Sequence, residues 1–390
     1  MHRRLLSCFL LIFLIDPLTV CAAEAEFRYP VGKYKGGELN YINGLPVLLV
    51  QGTPEEIGEQ TAVLTVEAAR PLMDLPKKML QRRGVGFAWP FVVAAAKTLL
   101  KQSPKSHRLE LEKIIDVGKI DRDSLLVGNC LLELRRIGGC ATLFVDAKRS
   151  ATGGPLLGRN FDLPPMGLLD KYSIVSIVRP KGKRAFAAIG YPGLVGVISG
   201  MNDAGLTIAT LDVYSSKDGS SRFNLQGTPL TFCYRRLLEE CATVDEAVKL
   251  MRSMKRTTWM NLAVCDKQEG VVFEITPDNV VVRRPEKSGE RAGVLPCTNH
   301  FRSAKLATRI ACRRYSRLQE IQRRRMFSIR HVAAAMHAVN QGKWTLQTMV
   351  FEPATLKLHL SIGAGPASAR ELKTLKLGPL LGPKVSVRLY

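Results

Sequence analysis

The sequence predicts an α+β fold in which helices stack on antiparallel sheets, and three observations carry that expectation. Helix-forming sequence fills residues 53–135, paired apolar strand runs begin after Cys140, and two helices then separate those strands from a second set. Strands, then helices, then strands again is the order of an α+β domain and not of alternating βαβ units. With 390 residues, 46% of them hydrophobic and 23% charged, the chain can build one large core or two ordinary ones.

At the start, His2-Arg3-Arg4 precede an apolar run over residues 5–20, and Cys21-Ala22-Ala23-Glu24-Ala25 follow. A basic start, an apolar stretch and a small-residue exit describe a removable secretory signal over residues 1–25. Ala23 and Ala25 fit the cleavage site, and Cys21 with Ala23 would also serve. The run Leu18-Thr19-Val20-Cys21 makes a poor lipoprotein box because Val20 is bulky. Export to the periplasm or the exterior is the expectation, with a lipid or uncleaved membrane anchor as the alternative. No later segment offers the roughly 20 apolar residues that span a bilayer.

Short strands and turns are expected over residues 28–52. Thr53-Pro54-Glu55-Glu56 then reads as a helix start: cap, proline in the first turn, and acids at the positive end of the helix dipole. The helical sequence runs to 135, with one break at Trp89-Pro90. Beyond Cys140, residues 141–147 and 155–162 form a hairpin, as do 172–178 and 185–190, and Asn202-Asp203-Ala204-Gly205 turns the segment 197–213 back on itself. Helices follow at 230–241 and 244–254, the second opened by a Thr243/Glu246 capping box. Strands resume at 262–265, 271–275 and 280–283. Residues 303–324 and 329–339 read as helices, and 345–361 as a final hairpin.

Lys and Arg number 57 against 34 Asp and Glu, a net charge of +23. That excess suits anionic neighbours, namely an anionic cell envelope, lipid headgroups or acidic small substrates, or else it serves only as a solubilising surface. The basic residues are scattered, so a nucleic-acid partner is not expected, and Arg313-Arg314 and Arg323-Arg324-Arg325 read as the solvated face of one helix. Of the nine cysteines, Cys8 and Cys21 fall in the signal, leaving seven, an odd number with at least one unpaired thiol. Cys233 and Cys241 would lie about 12 Å apart along one helix axis, too far to bridge. No CxxC pair or Cys/His cluster has metal spacing, so neither metal nor cofactor is expected.

Cys140 stands at the junction of the helical and strand-rich halves, after Gly138-Gly139. A glycine there lets the preceding carbonyl be approached closely. A cysteine so placed can attack that carbonyl, give a thioester that water cleaves, and emerge with a free α-amine. Such an amine has a pKa of about 7.7–8.0 and can serve as general base for its own thiol. A buried structural cysteine is the plain alternative.

Four motifs occur in order: Gly138-Gly139-Cys140-Ala141-Thr142, Gly158-Arg159-Asn160-Phe161-Asp162, Gly200-Met201-Asn202-Asp203-Ala204-Gly205-Leu206 and Cys297-Thr298-Asn299-His300-Phe301. Together they resemble the acyl-coenzyme A:6-aminopenicillanic acid acyltransferase family of N-terminal-nucleophile hydrolases, and more distantly choloylglycine hydrolase and penicillin V acylase. The resemblance runs from about residue 40 to the end, with Gly52-Thr53-Pro54 in front and Val350-Phe351-Glu352-Pro353 near the close. It implies a four-layer αββα sandwich, a mainly helical pro-part over 26–139 that stays bound after self-cleavage between Gly139 and Cys140, and a catalytic chain over 140–390. It further implies Cys140 as nucleophile, Arg159 beside its sulfur, Asp162 holding the α-amine, Asn299 stabilising an oxyanion, and Arg314 as a second arginine, with Arg317 as competitor. The substrate class implied is a small N-acyl amide, hydrolysed or transferred. Asp212 stands where choloylglycine hydrolases carry an oxyanion asparagine, and is left outside the core site. Two rival readings remain: a non-catalytic basic envelope protein that keeps the fold, and a Cys–His peptidase that uses His300 and no self-cleavage.

Overall fold

In the computed structural model, which describes residues 27–134 and 138–382, the strands form where β-branched and aromatic residues alternate between turn signals. The expected signal over residues 1–25 lies outside the described residues. The turn at Asn202 behaves as its composition dictates. Gly205 adopts φ +93°, and Asn202 Oδ1 accepts from the Ala204 and Leu206 amides at 3.1 and 2.9 Å. Its Nδ2 is spent on the Leu238 and Cys241 carbonyls, so this asparagine is a structural clasp.

Among the described residues the strands are, in chain order, β1 (Gly32–Tyr34), β2 (Gly37–Ile42), β3 (Leu45–Gly52), β4 (Gly139–Val145), β5 (Leu156–Asp162), β6 (Ile174–Pro180), β7 (Phe186–Gly190), β8 (Ser199–Asn202), β9 (Thr207–Asp212), β10 (Met260–Cys265), β11 (Gly270–Ile275), β12 (Val280–Arg283), β13 (Val294–Cys297), β14 (Thr345–Glu352), β15 (Lys357–Ile362) and β16 (Lys373–Lys376). They make a ten-stranded sheet in the order β1-β2-β3-β6-β7-β8-β9-β10-β11-β12 and a six-stranded sheet in the order β13-β4-β5-β14-β15-β16. Every pairing is antiparallel except β3 with β6. The sheets lie face to face, β4 over β9, β10 and β11. At that crossing Phe144 sits where a Cβ on Gly270 would come within 2.2 Å of its ring, so glycine sets the close approach. Helices Leu230–Glu240 and Val244–Ser253 cover the large sheet. Helix Ile329–His337 covers the small one, with Val332 pressed onto Gly158. The layers are therefore helix, sheet, sheet, helix: the αββα sandwich that the resemblance implies.

The segment before Gly139 is woven into this sandwich. Besides its helices it supplies β1, β2 and β3, and β3 pairs with β6 in register from Val47↔Val175 to Gly52↔Pro180. Helix Pro54–Thr61 opens with the full capping box of Thr53 and Glu56 and packs on helix Lys105–Gly118. A buried charge cluster crosses between this segment and the body. Arg235 holds Glu110 with two bonds of 2.9 and 2.6 Å and Glu239 at 2.7 Å, while His107 Nε2 lies 2.9 Å from Glu239. Lys183 closes the far side of Glu239.

Three expectations need correction. Trp89 and Pro90 begin the helix Trp89–Leu100, because proline at the start of a helix loses only an N–H that had no partner. The breaks fall elsewhere, among them residues 67–69, 83–85, 101–104 and 119–121. Residues 303–324 are not one helix: only Arg313–Ile321 is helical, and Arg323-Arg324-Arg325 lie beyond it. At Thr243 the hydroxyl caps the Glu246 amide, but the Glu246 carboxylate takes the Ala242 N–H, so the reciprocal half of the box is missing. No helix among the described residues is long and apolar enough to cross a membrane.

Candidate active site

The site grows from the register of β4 with β5, which sets Gly139 opposite Asp162, Cys140 opposite Phe161 and Thr142 opposite Arg159. Residues directly opposite share a face of the sheet, and successive residues change face. Cys140, Arg159 and Phe161 therefore point between the two sheets, whereas Asp162 points to the outer side.

On the inner face Arg159 is fully buried. Its Nη1 donates to the Thr210 carbonyl at 2.6 Å, and its Nη2 lies 3.7 Å from Cys140 Sγ. Burial pushes the Cys140 thiol up to about 11. The Arg159 charge opposes that rise, and Asp162 and Asp212 add to it. The sulfur is thus a thiol beside a cation.

The backbone of Cys140 is held at both its N–H and its carbonyl. Its N–H donates to Asn299 Oδ1 at 2.8 Å, and its carbonyl accepts from Arg314 Nη1 at 2.6 Å. Arg314 Nη2 reaches the same Asn299 oxygen at 2.8 Å, and Nη1 stands 3.7 Å from Asp162. Arg314 lies in the first turn of helix Arg313–Ile321 and points inward, so it is no member of a solvated face. Arg317, its competitor, pairs with Glu320 at the surface. Asp162 accepts from Gln341 at 2.9 Å and Thr345 at 2.7 Å. Burial raises its carboxyl above the ordinary range, against the pull of those donors and the two arginines.

The structure thus brings together Cys140, Arg159, Asp162, Asn299 and Arg314. It distributes their contacts differently from the family expectation. The Cys140 amide is held by Asn299 and not by Asp162, and the Asn299 amide group donates to the Asp212 carbonyl at 2.9 Å. Asp212, left outside the core site on sequence grounds, lies in contact with it. Its carboxylate accepts from Gly138 N–H at 3.2 Å, while the Tyr214 hydroxyl donates to the Gly138 carbonyl. A Cβ on Gly139 would come within 1.6 Å of Gln341 Nε2 and push that side chain off Asp162. Sequence reasoning missed Tyr214, Gln341 and Thr345, which carry no motif. Asp212 was visible by its spacing from Met201.

His300 makes no hydrogen bond to Cys140. Its Nδ1 meets Thr298 Oγ1 at 3.1 Å, its ring stands edge-on to Tyr315, and burial pushes it down to about 4. All seven described cysteines are unpaired. No group of three His, Cys, Asp or Glu side chains among the described residues could hold a metal. Beside Phe161 lies an apolar cavity of about 110 Å³, lined by Leu72, Leu75, Leu163, Tyr191 and Leu194 among others.

No protein of curated function matches the sequence. Among solved structures, similarity extends to a Caenorhabditis elegans N-acylethanolamine-hydrolyzing acid amidase ortholog, at 20% identity and TM-score 0.46 over 61% of this chain and 100% of that one. It extends to a conjugated bile acid hydrolase variant from Clostridium perfringens, at 14% identity and TM-score 0.37 over 61% and 96%. Penicillin V acylase from Agrobacterium tumefaciens is similar at 12% identity and TM-score 0.39 over 57% and 82%. The sequence model for acyl-coenzyme A:6-aminopenicillanic acid acyl-transferase matches residues 149–365, more than half of the chain, a span that holds Arg159, Asp162, Asn299 and Arg314 and begins after Cys140. That match supports an amidohydrolase or acyltransferase of the N-terminal-nucleophile type. The chain belongs to the acyl-coenzyme A:6-aminopenicillanic acid acyl-transferase family.

Proposed function

We propose that this chain cuts itself between Gly139 and Cys140 and then uses Cys140 to open small N-acyl amides through an acyl-thioester. The observation that carries this reading is the grip on Cys140: sulfur beside a buried arginine, N–H on Asn299, carbonyl on Arg314. In the first reaction the sulfur attacks the Gly139 carbonyl, the C–N bond to Cys140 breaks, and its nitrogen leaves as an amine. Water then hydrolyses the Gly139 thioester, leaving a new carboxylate and a free thiol.

The released α-amine is the base that the uncut chain lacks. It takes the thiol proton while the sulfur adds to the substrate's acyl carbon, and the proton passes to the departing amine. Water, or a second amine, then removes the acyl group. The apolar cavity beside Phe161 supports an apolar acyl group, and Asp162 and Arg314 lie on the polar side of the cut. Export is part of the proposal. Outside the cytoplasm acyl-coenzyme A is absent, which favours water as the acyl acceptor.

Incubating the cut protein with N-acyl amides of a chromogenic amine, then quenching in acid, tests the reading. The expected result is amine release together with an acyl mass added to the fragment that begins at Cys140. Amine release that survives in Cys140→Ala would refute it. Loss of activity in His300→Ala, in a chain that is never cut, would establish the Cys–His reading in its place.

A further inference from the structure

Helix Trp89–Leu100 buries Val93, Ala96, Leu99 and Leu100, which fixes one of its faces against the core. On the other side the turn Gly86–Ala88 and the first helical turn carry Phe87 and Phe91, which are 78% and 75% exposed. These are the most exposed large apolar side chains among the described residues. Phe87 precedes Phe91 by four positions, across the junction of that turn with the helix. Pro90 and Ala94 are also exposed.

The surroundings of this patch are cationic. Helix Leu75–Arg82 runs into it, and Gly86 packs on Gln81, which brings Phe87 beside the end of that helix. Lys77, Arg82 and Arg83 are exposed there and have no ion-pair partner among the described residues. The acids nearest in sequence on either side are already engaged, Asp74 with Lys78 and Glu110 with Arg235. Single exposed apolar residues are ordinary on soluble proteins. Two phenyl rings four positions apart at three-quarters exposure, rimmed by unpaired cations, instead match the pattern of an interfacial membrane anchor: rings enter the acyl boundary and cations meet the headgroups. The chain's net charge of +23 acts in the same direction.

We infer that the tip formed by residues 82–91 docks on an anionic lipid surface. The occupant follows from charge complementarity, because a second copy of this chain would set Arg82 and Arg83 against cations of its own kind. Helix Leu75–Arg82 also supplies Leu75 and Pro76 to the apolar cavity beside Phe161, so the docked face and that cavity share one element. The docking stands independently of the proposed chemistry.

The test is flotation of the mature protein with vesicles of phosphatidylcholine alone and of phosphatidylcholine with about one-third phosphatidylglycerol, at low and high salt. Wild type is expected to float with the anionic vesicles, and to float less as salt rises. Phe87→Ser with Phe91→Ser should lower that partitioning by about tenfold or more. Arg82→Glu with Arg83→Glu should abolish the preference for anionic vesicles. Both double variants should keep the wild-type melting temperature, self-cleavage and turnover of a water-soluble substrate, which separates failure of docking from failure of the chemistry. Wild type that stays off anionic vesicles overturns the inference, as does partitioning unchanged in the phenylalanine variant. A concentration-dependent dimer that the phenylalanine variant abolishes, with no vesicle binding, would assign the patch to self-association instead.

Discussion

Asn299→Leu is expected to give a folded chain that self-cleaves about 10²–10³-fold more slowly, the scale of removing one preorganised polar contact at a reacting centre. Leucine keeps the volume but removes the oxygen that both Cys140 N–H and Arg314 Nη2 reach, each at 2.8 Å. The amide to be broken then loses its fixed orientation, and Arg314 keeps only the Cys140 carbonyl and the neighbouring Asp162. Asn299→Asp retains an acceptor and should cut faster than the leucine variant. A gel time course on freshly purified protein separates the two, with circular dichroism to verify the fold. Cutting by Asn299→Leu at the wild-type rate would remove Asn299 from the reaction.

Arg235→Met should cost about 3–5 kcal/mol of stability, because it strands the Glu110 carboxylate in the interior and leaves Glu239 only His107 and Lys183. Arg235 is 3% exposed and is the shared partner of Glu110 and Glu239, on the two sides of Cys140 in the chain. The surface pair Arg236–Glu240 is the control, and Arg236→Ala should cost below about 1 kcal/mol. Urea unfolding of both variants measures the difference. The same cluster sets an acid limit on stability. Burial, and then the Arg235 charge, push the His107 imidazole down to about 4. The unfolded chain takes up that proton below its ordinary value of about 6.5, and the folded chain does so only near pH 4. The contribution is complete above pH 6.5 and is lost as pH falls from 6.5 to 4. His107→Gln, which retains an N–H for Glu239, should flatten that slope.

What the sequence made legible was local. The hairpin of β4 and β5 announces itself by apolar runs around a turn, and that pairing alone sets Cys140, Arg159 and Asp162 in mutual reach. Thr53 and Glu56 declare a helix start by chemistry that acts over three residues. What stayed hidden depends on contacts distant in the chain. The parallel pairing of β3 with β6 joins residues 47–52 to 175–180, and no periodicity in either strand names its partner. Gln341 reaches Asp162 from a loop beyond helix Ile329–His337, and Tyr214 reaches Gly138 across 76 positions. Residues 303–312 contain helix formers, yet Asn261 draws its chain neighbours, the Thr298 and His300 carbonyls, into the interior, and Glu274 takes the Arg302 and Ser303 amides. Tertiary bonds there override local propensity. Asp212 was set aside because a carboxylate repels an oxyanion. In the structure it accepts a backbone N–H from Gly138, a role in which negative charge is an asset.

Self-cleavage at Cys140 underlies both the supply of the base and the assignment of the nucleophile, and intact mass spectrometry with N-terminal sequencing tests it most directly. Purified wild type should resolve into two fragments that co-purify, the larger starting at Cys140, while Cys140→Ala prepared alongside should remain one chain. Wild-type protein that stays whole through long incubation, or a cut at the same bond in Cys140→Ala, would contradict the account.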